Sequence, residues 1–240
     1  MNILITICAR GGSKGIPGKN IRNLDGIPLI NYTLDLAKKV QIKYKAVITL
    51  STDDWAIKNA AKNCGITTKY ERPFDLATDE AGKIETITHV LEYEEESRNM
   101  RFDFILDLDV TSPLRNMEDI DDAFKELMNV PEAKNLFSVN TASKNPYFNM
   151  VQQNDEGFYS LVKSNDELNV LTRQSAPKVY DMNASFYWYR RSFFENREKS
   201  VITNKSLIFK MNHICFDLDH EVDILFMEFL IKNNHLDFRL

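Results

Sequence analysis

A glycine-rich, cationic segment near the N-terminus has the composition of a phosphate-binding loop. Residues 9–20 read Ala-Arg-Gly-Gly-Ser-Lys-Gly-Ile-Pro-Gly-Lys-Asn, and the stretch from Arg10 to Arg22 holds four cations and no acid. Glycines let backbone N–H groups approach a ligand closely, and the cations supply the charge that an anion requires. The spacing fits neither a Walker A loop, which needs GxxxxGK followed by Ser or Thr, nor the dinucleotide pattern GxGxxG. We therefore predict a phosphate cradle of another kind; the alternative is an ordinary flexible loop with surface lysines.

Two Asp-x-Asp triplets, at residues 107–109 and 217–219, could bind a divalent cation. Residues i and i+2 of a strand point to one face, so each triplet can offer two carboxylates to Mg²⁺. Mg²⁺ takes few protein carboxylates and leaves its other positions to water and substrate phosphates, which favours a triphosphate ligand over an all-protein cage. Two alternatives stay open. In the first alternative, a carboxylate of residues 107–109 only caps the strand end or the Thr111–Ser112 turn. In the second, Asp219 is only the N-cap of a helix.

Short apolar runs alternate with segments of helical period over the first 130 residues. They predict strands at Ile3–Cys8, Ala46–Leu50 and Asp103–Val110, and helices around 29–40, 57–64, 84–91 and 124–128, the second capped within Ser51–Asp53. This alternation predicts an α/β fold with a doubly wound, mostly parallel sheet. In such sheets ligands bind beyond the carboxyl ends of the strands, which places the site just after Cys8, Leu50 and Val110.

The helical period is lost between about residues 141 and 180, where Pro, Gly, Asn and Ser are interspersed with short aromatic stretches. We interpret residues 1–240 as one domain with a hairpin-rich element inserted at about 141–180. Strands return at Ala184–Tyr189 and Leu207–Met211, and an amphipathic helix with Val222, Leu225, Phe226, Phe229 and Leu230 on its apolar face closes the chain. The insertion carries Tyr147, Phe148, Met150, Val151, Phe158 and Tyr159. Because such residues are enriched at interfaces, it is predicted to form a homodimer; the alternative is that they fold back on their own sheet.

The overall composition excludes several classes of protein. The 240 residues include 35 acids and 30 bases, for a net charge of −5, which argues against a generally basic nucleic-acid binder. The three cysteines are widely spaced and form neither a disulfide framework nor a CxxC metal site, which favours a cytoplasmic location. No apolar run approaches the roughly 20 residues needed to cross a bilayer, so no membrane association is expected.

Together these features resemble the acylneuraminate cytidylyltransferase family, whose members activate nine-carbon acidic sugars as CMP conjugates. The resemblance rests on the loop at 9–20, Ser51-Thr52-Asp53, the RP…LA.D pattern of residues 72–79, Thr111-Ser112-Pro113-Leu114-Arg115 and Phe216-Asp217-Leu218-Asp219. Within the family, residues 145–149, 173–178 and 180–185 are most similar to the CMP-N,N'-diacetyllegionaminate synthetases. The resemblance covers nearly the whole chain and implies a Rossmann-like nucleotidyltransferase fold. It also implies a twofold dimer whose partner borders each active site.

The resemblance implies that the anomeric hydroxyl of a nine-carbon 2-keto acidic sugar attacks the α-phosphorus of CTP and releases pyrophosphate. Arg10, Lys14 and Lys19 would bind the triphosphate, and Asp217 and Asp219 would bind Mg²⁺, with Mn²⁺ as an alternative. The other nucleotide contacts would be Ala9, Gly11, Gly12, Ser13, Asn20, Arg72, Thr111 and Ser112. The sugar contacts would be Arg173, which can fork onto the sugar carboxylate, together with Gln174, Asp181 and Tyr187. The general base stays open between Asp109 and a metal-bound hydroxide.

Two departures from the sialate-specific pattern favour a legionaminate-type sugar. Asp109 replaces the glutamine before Thr111, and Asp181-Met182 replaces an Arg-Pro pair beside the sugar. The alternative within the family is a CMP-N-acetylneuraminate synthetase. Outside it, the alternatives are a D-x-D glycosyltransferase, disfavoured by the cationic loop after the first strand, and a non-catalytic nucleotide-binding protein, disfavoured by the retained loop lysines and late aspartates.

Overall fold

The computed structural model describes residues 1–12, 15–164, 170–238 and 240. Within these ranges the strands are β1 (Ile3–Cys8), β2 (Asn23–Leu24), β3 (Ile27–Pro28), β4 (Val47–Ser51), β5 (Phe104–Leu108), β6 (Asn135–Thr141), β7 (Val151–Gln153), β8 (Tyr159–Leu161), β9 (Tyr180–Arg190) and β10 (Ser206–Lys210). The α-helices are α1 (Leu29–Tyr44), α2 (Trp55–Asn63), α3 (Lys83–Arg98), α4 (Met117–Asn129), α5 (Arg191–Glu195) and α6 (Glu221–Lys232). The chain divides into two compact units, residues 1–138 with 183–240, and residues 139–182.

The central sheet confirms the predicted α/β fold class. Its strand order is β10-β6-β9-β5-β1-β4, with β1 parallel to both β4 and β5, and β9 antiparallel to β5. All five residues of β5 are buried, as are the first five of β1, which is why both read as continuous apolar runs. The sheet therefore aligns the carboxyl ends of β1, β4 and β5 at one edge, where the sequence predicts the site.

Two local predictions are wrong. The cap of α2 is Asp54, which accepts a hydrogen bond from Ile57 N at 3.0 Å, and not a residue of Ser51–Asp53. In α6 the buried residues are Ile224, Met227 and Leu230, whereas four of the five residues predicted for its apolar face are exposed, namely Val222, Leu225, Phe226 and Phe229. This helix is apolar on nearly every side, so periodicity cannot select the face that packs on the sheet.

The buried guanidinium of Arg115 fixes the segment that follows β5. It donates to Asp109 O at 2.7 Å, Ser112 O at 2.6 Å and Ser185 O at 2.7 Å, and also to the Thr33 hydroxyl at 2.9 Å. Burial lowers the pKa of Arg115 to about 10, which keeps it charged at neutral pH. One side chain thereby connects α1, the 109–112 turn and β9.

The unit of residues 139–182 contains the antiparallel β7–β8 hairpin. Its apolar residues Met150, Val151, Phe158 and Tyr159 are exposed, at 41%, 62%, 69% and 69% of their surface. Asn145 organises the preceding turn, because its amide donates to Pro177 O at 2.9 Å and accepts from Tyr147 N at 2.9 Å. In the part of the chain that the structure describes, no helix is long and apolar enough to cross a membrane.

The Arg115 network predicts a large stability loss in Arg115→Met. Each buried acceptor left without a donor costs about 1–3 kcal/mol, so we expect the free energy of unfolding to fall by at least about 3 kcal/mol. Urea denaturation measures this loss. The control is Arg101→Met, which removes an exposed ion pair with Glu195. Equal losses in the two variants would show that the network contributes no more than a surface ion pair.

Candidate active site

Hydrogen bonds attach the loop that follows β1 to the end of β4. Ala9 N donates to Ser51 O at 2.9 Å, and Gly11 N donates to Asp53 Oδ1 at 2.9 Å. The Asn20 amide closes the loop by donating to Arg10 O at 2.9 Å. Asp53 is therefore an anchor of the loop. Ser13 and Lys14, both predicted to contact the nucleotide, lie outside the described residues.

Two glycines of this loop allow a close approach that a side chain would block. A Cβ atom at Gly11 would lie 2.8 Å from Asp54 Oδ2, and one at Gly15 would lie 2.8 Å from Asp219 O. A Cβ atom at Gly12 would meet nothing within 4 Å. The loop thus lies directly against the segment that carries the second aspartate pair.

A cavity of about 200 Å³ at the end of β1 brings two predicted nucleotide contacts together. We call it the strand-end cavity; its lining residues are Cys8, Arg10, Arg72, Leu76, Thr78, Asp79, Ala81, Lys83 and Thr86. Arg10 Nη1 lies 2.6 Å from Asp79 Oδ1. Arg72 Nε is buried and has no hydrogen-bond partner among the described residues, so one polar group of this residue is left unsatisfied.

Asp217 and Asp219 lie next to the turn that follows β5, because Leu218 N donates to Thr111 O at 2.9 Å. Asp217 Oδ1 is buried and unpaired among the described residues, and burial is the largest of the effects that raise the pKa of Asp217. Asp219 is exposed and its Oδ1 lies 3.3 Å from Lys19 Nζ. It is not the cap of α6, because that position is occupied by His220, and Asp223 Oδ2 accepts from both Asp219 N at 2.9 Å and His220 N at 2.7 Å.

This pair fits a divalent cation that also binds phosphate. A buried carboxylate oxygen without a donor is costly, and a cation at that oxygen would remove the cost. Within the described ranges, no group of three or more His, Cys, Asp or Glu residues could hold a metal by itself. Two carboxylates with phosphates completing the shell is the arrangement that Mg²⁺ favours.

The first aspartate pair is bridged by Lys83, a residue that the sequence analysis missed. Lys83 Nζ lies 3.1 Å from Asp107 Oδ2 and 2.7 Å from Asp109 Oδ2. Asp109 Oδ1 accepts from Thr111 N and Oγ1, both at 3.0 Å, so this carboxylate also caps the turn. Burial alone would raise the pKa of Asp109, but the Lys83 cation and the Thr111 bonds outweigh burial and lower that pKa to about 2.

Ser112 and Tyr187 are less accessible than the sequence predicts. The Ser112 hydroxyl is buried and lies 3.3 Å from Phe216 O, so it faces the interior. Tyr187 is 5% exposed, and Lys83 Nζ lies 4.6 Å from the centroid of its ring.

One sequence signal could have pointed to a buried partner for Lys83. This residue is the first of α3, where the helix dipole disfavours a cation.

The other predicted sugar contacts belong to the unit of residues 139–182. Arg173 is exposed, and its Nη2 donates to Ser143 O at 3.2 Å. Asp181 Oδ2 accepts from Ser143 N at 3.4 Å, and Gln174 is exposed. Within their own unit, Arg173 and Asp181 therefore share the Ser143 backbone as an anchor.

Comparisons with known proteins identify the family of this chain. The family model described as cytidylyltransferase matches residues 4–231. The chain is 38% identical over 234 residues to post-translational flagellin modification protein B of Campylobacter coli, which covers 98% of this chain and 97% of that protein. It is 37% identical over 235 residues to the CMP-N,N'-diacetyllegionaminic acid synthase of Campylobacter jejuni subsp. jejuni serotype O:2, with the same coverage.

A solved structure extends the agreement to the fold. CMP:2-keto-3-deoxy-manno-octonic acid synthetase, solved with CTP, superposes with a TM-score of 0.68 at 16% identity and covers 98% of this chain and 100% of its own. The family match spans the loop, both aspartate pairs and the 109–112 turn. The chain belongs to the cytidylyltransferase family and is an enzyme of the nucleotidyltransferase class.

Proposed function

We propose that this enzyme transfers CMP from CTP to the anomeric hydroxyl of a nonulosonic acid of the legionaminate type and releases pyrophosphate. The observation that carries the proposal is the unpaired, buried oxygen of Asp217, which lies next to Asp219 at the end of the cationic loop. Mg²⁺ bound there would neutralise charge on the triphosphate. The relative from C. jejuni, named as a CMP-N,N'-diacetyllegionaminic acid synthase, supports the nonulosonic acid as the second substrate.

In this proposal two groups of residues bind CTP, one in the strand-end cavity and the other at the far end of the cationic loop. Arg10 and Arg72 line the strand-end cavity, where their N–H groups can donate to the nucleotide. Lys19, at the far end of the loop, can exchange Asp219 for a phosphate oxygen. Ser13 and Lys14 belong to the same loop and stay predicted phosphate contacts. Positioning and charge neutralisation of this kind account for most of the catalysis of phosphoryl and nucleotidyl transfer.

The low pKa of Asp109 assigns it a positioning role in this proposal. A carboxylate with a pKa of about 2 holds a proton too weakly near neutral pH to be an effective general base. Both of its oxygens are already occupied, one by Lys83 and the other by Thr111. Asp109 therefore fixes the turn against which Asp217 and Asp219 lie.

The aspartate pair predicts a specific loss in Asp217→Asn and Asp219→Asn. Each change removes a metal-binding charge with little change in shape, so the Mg²⁺ concentration at half-maximal activity should rise at least about 10-fold. Direct titration with Mn²⁺, followed by electron paramagnetic resonance, checks binding without turnover. The control is Asp122→Asn, which removes only a surface pair with Lys125. Wild-type midpoints in both site variants would exclude these aspartates as ligands.

The same pair predicts that Asp217→Asn does not destabilise the metal-free protein. A carboxyl group whose pKa is raised by folding contributes stability only when protonated, and that contribution is lost as the pH rises through its folded-state pKa. At neutral pH the ionised Asp217 therefore opposes folding, and the asparagine variant should melt at the same or a higher temperature in EDTA. A melting temperature below that of the wild type would contradict the expectation that ionised Asp217 opposes folding.

Sugar preference tests the finer part of the proposal. A carboxylate at Asp181 can accept a hydrogen bond from an N-acyl N–H, and Met182, 39% exposed, offers an apolar surface to its methyl group. We expect kcat/KM, measured by pyrophosphate release at saturating CTP and Mg²⁺, to favour N,N'-diacetyllegionaminate over N-acetylneuraminate by about 10- to 200-fold. The double change Asp181→Arg/Met182→Pro should reduce that preference, whereas Asp155→Arg, a charge reversal in the hairpin turn, should not. Equal or higher efficiency with N-acetylneuraminate would assign the enzyme to the sialate branch.

The exposed hairpin supports a homodimer as part of the proposal. Met150, Val151, Phe158 and Tyr159 together leave a large apolar surface in contact with solvent, which is typical of an interface. Light scattering of the wild type should give twice the mass of the chain, and Phe158→Asp should give the mass of one chain. Ile42→Asp, at an apolar position on α1 that is more exposed than Phe158, should leave the dimer intact. A wild-type protein that is monomeric at micromolar concentration would exclude the dimer.

A further inference from the structure

We infer that Lys83 is a positioning residue that holds the Asp217–Asp219 segment in place for Mg²⁺ and CTP, acting through Asp109 and Thr111. The inference rests on the proposed function and adds a residue to it. Lys83 is the first residue of α3 and lies 24 positions before Asp107 in the chain. It matches none of the motifs that identify the site.

The contacts of Lys83 place it between two carboxylates and a ring. Its ammonium group has three N–H donors, of which two are used by Asp107 and Asp109. The Tyr187 ring lies 4.6 Å from Nζ, close enough for a cation–π contact. The Asp107 side chain is 1% exposed, and its Oδ1 accepts from the Thr6 hydroxyl at 2.7 Å. Lys83 therefore contacts β5 and β9 directly and reaches β1 through Asp107.

From Lys83 an unbroken set of polar contacts leads to the proposed metal ligands. Asp109 binds Lys83 through Oδ2 and Thr111 through Oδ1. Thr111 O in turn accepts from Leu218 N at 2.9 Å, and Leu218 lies between Asp217 and Asp219. If Asp109 loses its cation, only its bonds to Thr111 hold the carboxylate, and the acceptor that fixes the turn at Thr111 is less firmly held. The metal pair is then displaced although neither aspartate has been changed.

The position of Lys83 also explains why a cation is needed at this point. Lys83 lines the strand-end cavity together with Arg10 and Arg72. Without Lys83, two carboxylates on one face of β5 would repel each other and would repel the incoming triphosphate. With a side chain that is 30% exposed, Lys83 balances them from the cavity side, where a nucleotide enters.

The competing explanation is that Lys83 only balances the buried charge of Asp107 and so stabilises the fold. The two roles separate in the double variant Lys83→Met/Asp107→Asn. This variant removes the charge of Asp107, which would be buried without a cation in Lys83→Met, but it leaves Asp109 without the Lys83 cation. Charge balance alone predicts that the double variant regains both stability and ligand binding; positioning predicts that it regains stability and not ligand binding.

The experiment measures Mg²⁺-dependent CTP binding by isothermal titration calorimetry, Mn²⁺ binding by electron paramagnetic resonance, and the melting temperature. It uses the wild type, Lys83→Met, Lys83→Arg and the double variant, with Lys58→Met, an exposed partner of Glu71, as the control. We expect Lys83→Met and the double variant to bind Mn²⁺ and Mg²⁺–CTP about 10- to 100-fold more weakly than the wild type. Lys83→Arg should fall between them and the wild type, since it keeps the charge but not the geometry. Lys58→Met should be unchanged.

Three outcomes are decisive against the inference. Wild-type affinity in Lys83→Met would overturn it, and so would recovery of affinity in the double variant. In either case the wild type still binds CTP and the proposed function stands. A wild type that shows no Mg²⁺-dependent CTP binding would overturn the proposed function and this inference together.

Discussion

The site depends on one constraint, which is that the carboxyl end of β5 must hold two carboxylates although β5 and its neighbour β1 are almost wholly buried. Asp107 lies within β5 and is nearly inaccessible, and Asp109 follows it on the same face. Lys83 binds their side chains, and Arg115 binds the backbone oxygen of Asp109 from the interior. The turn after β5 is thereby fixed by one cation on each side. Because the geometry of the turn is fixed, Thr111 O is in place to accept the hydrogen bond from Leu218 N.

The cationic loop obeys a related rule, because Arg10 and Lys19, two of its cations in the described part of the chain, are already paired with acids. Arg10 pairs with Asp79 and Lys19 pairs with Asp219, and three of these four side chains are more than 30% exposed. Ion pairs that reach solvent contribute little free energy, so a triphosphate can replace these acids at small cost. The pairs hold the loop in position before a ligand binds, and the two close approaches at Gly11 and Gly15 restrict it further. The site is therefore largely preorganised for an anion.

The sequence predicts this site where the chemistry is local and fails where it depends on pairing across the chain. Glycine spacing, cation count and the Asp-x-Asp triplets located the loop and the second aspartate pair, and alternating apolar segments located the strand ends. Lys83 was missed because nothing near it in the sequence shows that its partners are two aspartates on another element. The apolar face of α6 was assigned wrongly because the helix is apolar on nearly every side, and the α2 cap was displaced by one residue because capping depends on the backbone angles of a single position. The sugar contacts Arg173, Gln174 and Asp181 stay predictions, since they belong to the other unit.

The buried oxygen of Asp217 indicates how binding and stability are linked in this enzyme. The buried Oδ1 of Asp217, which has no donor among the described residues, raises the free energy of the folded state at neutral pH. The neighbouring Asp109 and Asp219 add to that effect, and Thr111 and Lys19 offset part of it. A cation that binds only the folded protein stabilises it by an amount set by its concentration and affinity. If the proposed metal ion binds at Asp217 together with the triphosphate, it would recover this cost. If Asp217 is a metal ligand, replacing it with an uncharged residue would remove both the cost to folding and one ligand of the metal, and the loss of stability at this position would be the counterpart of the binding that it provides.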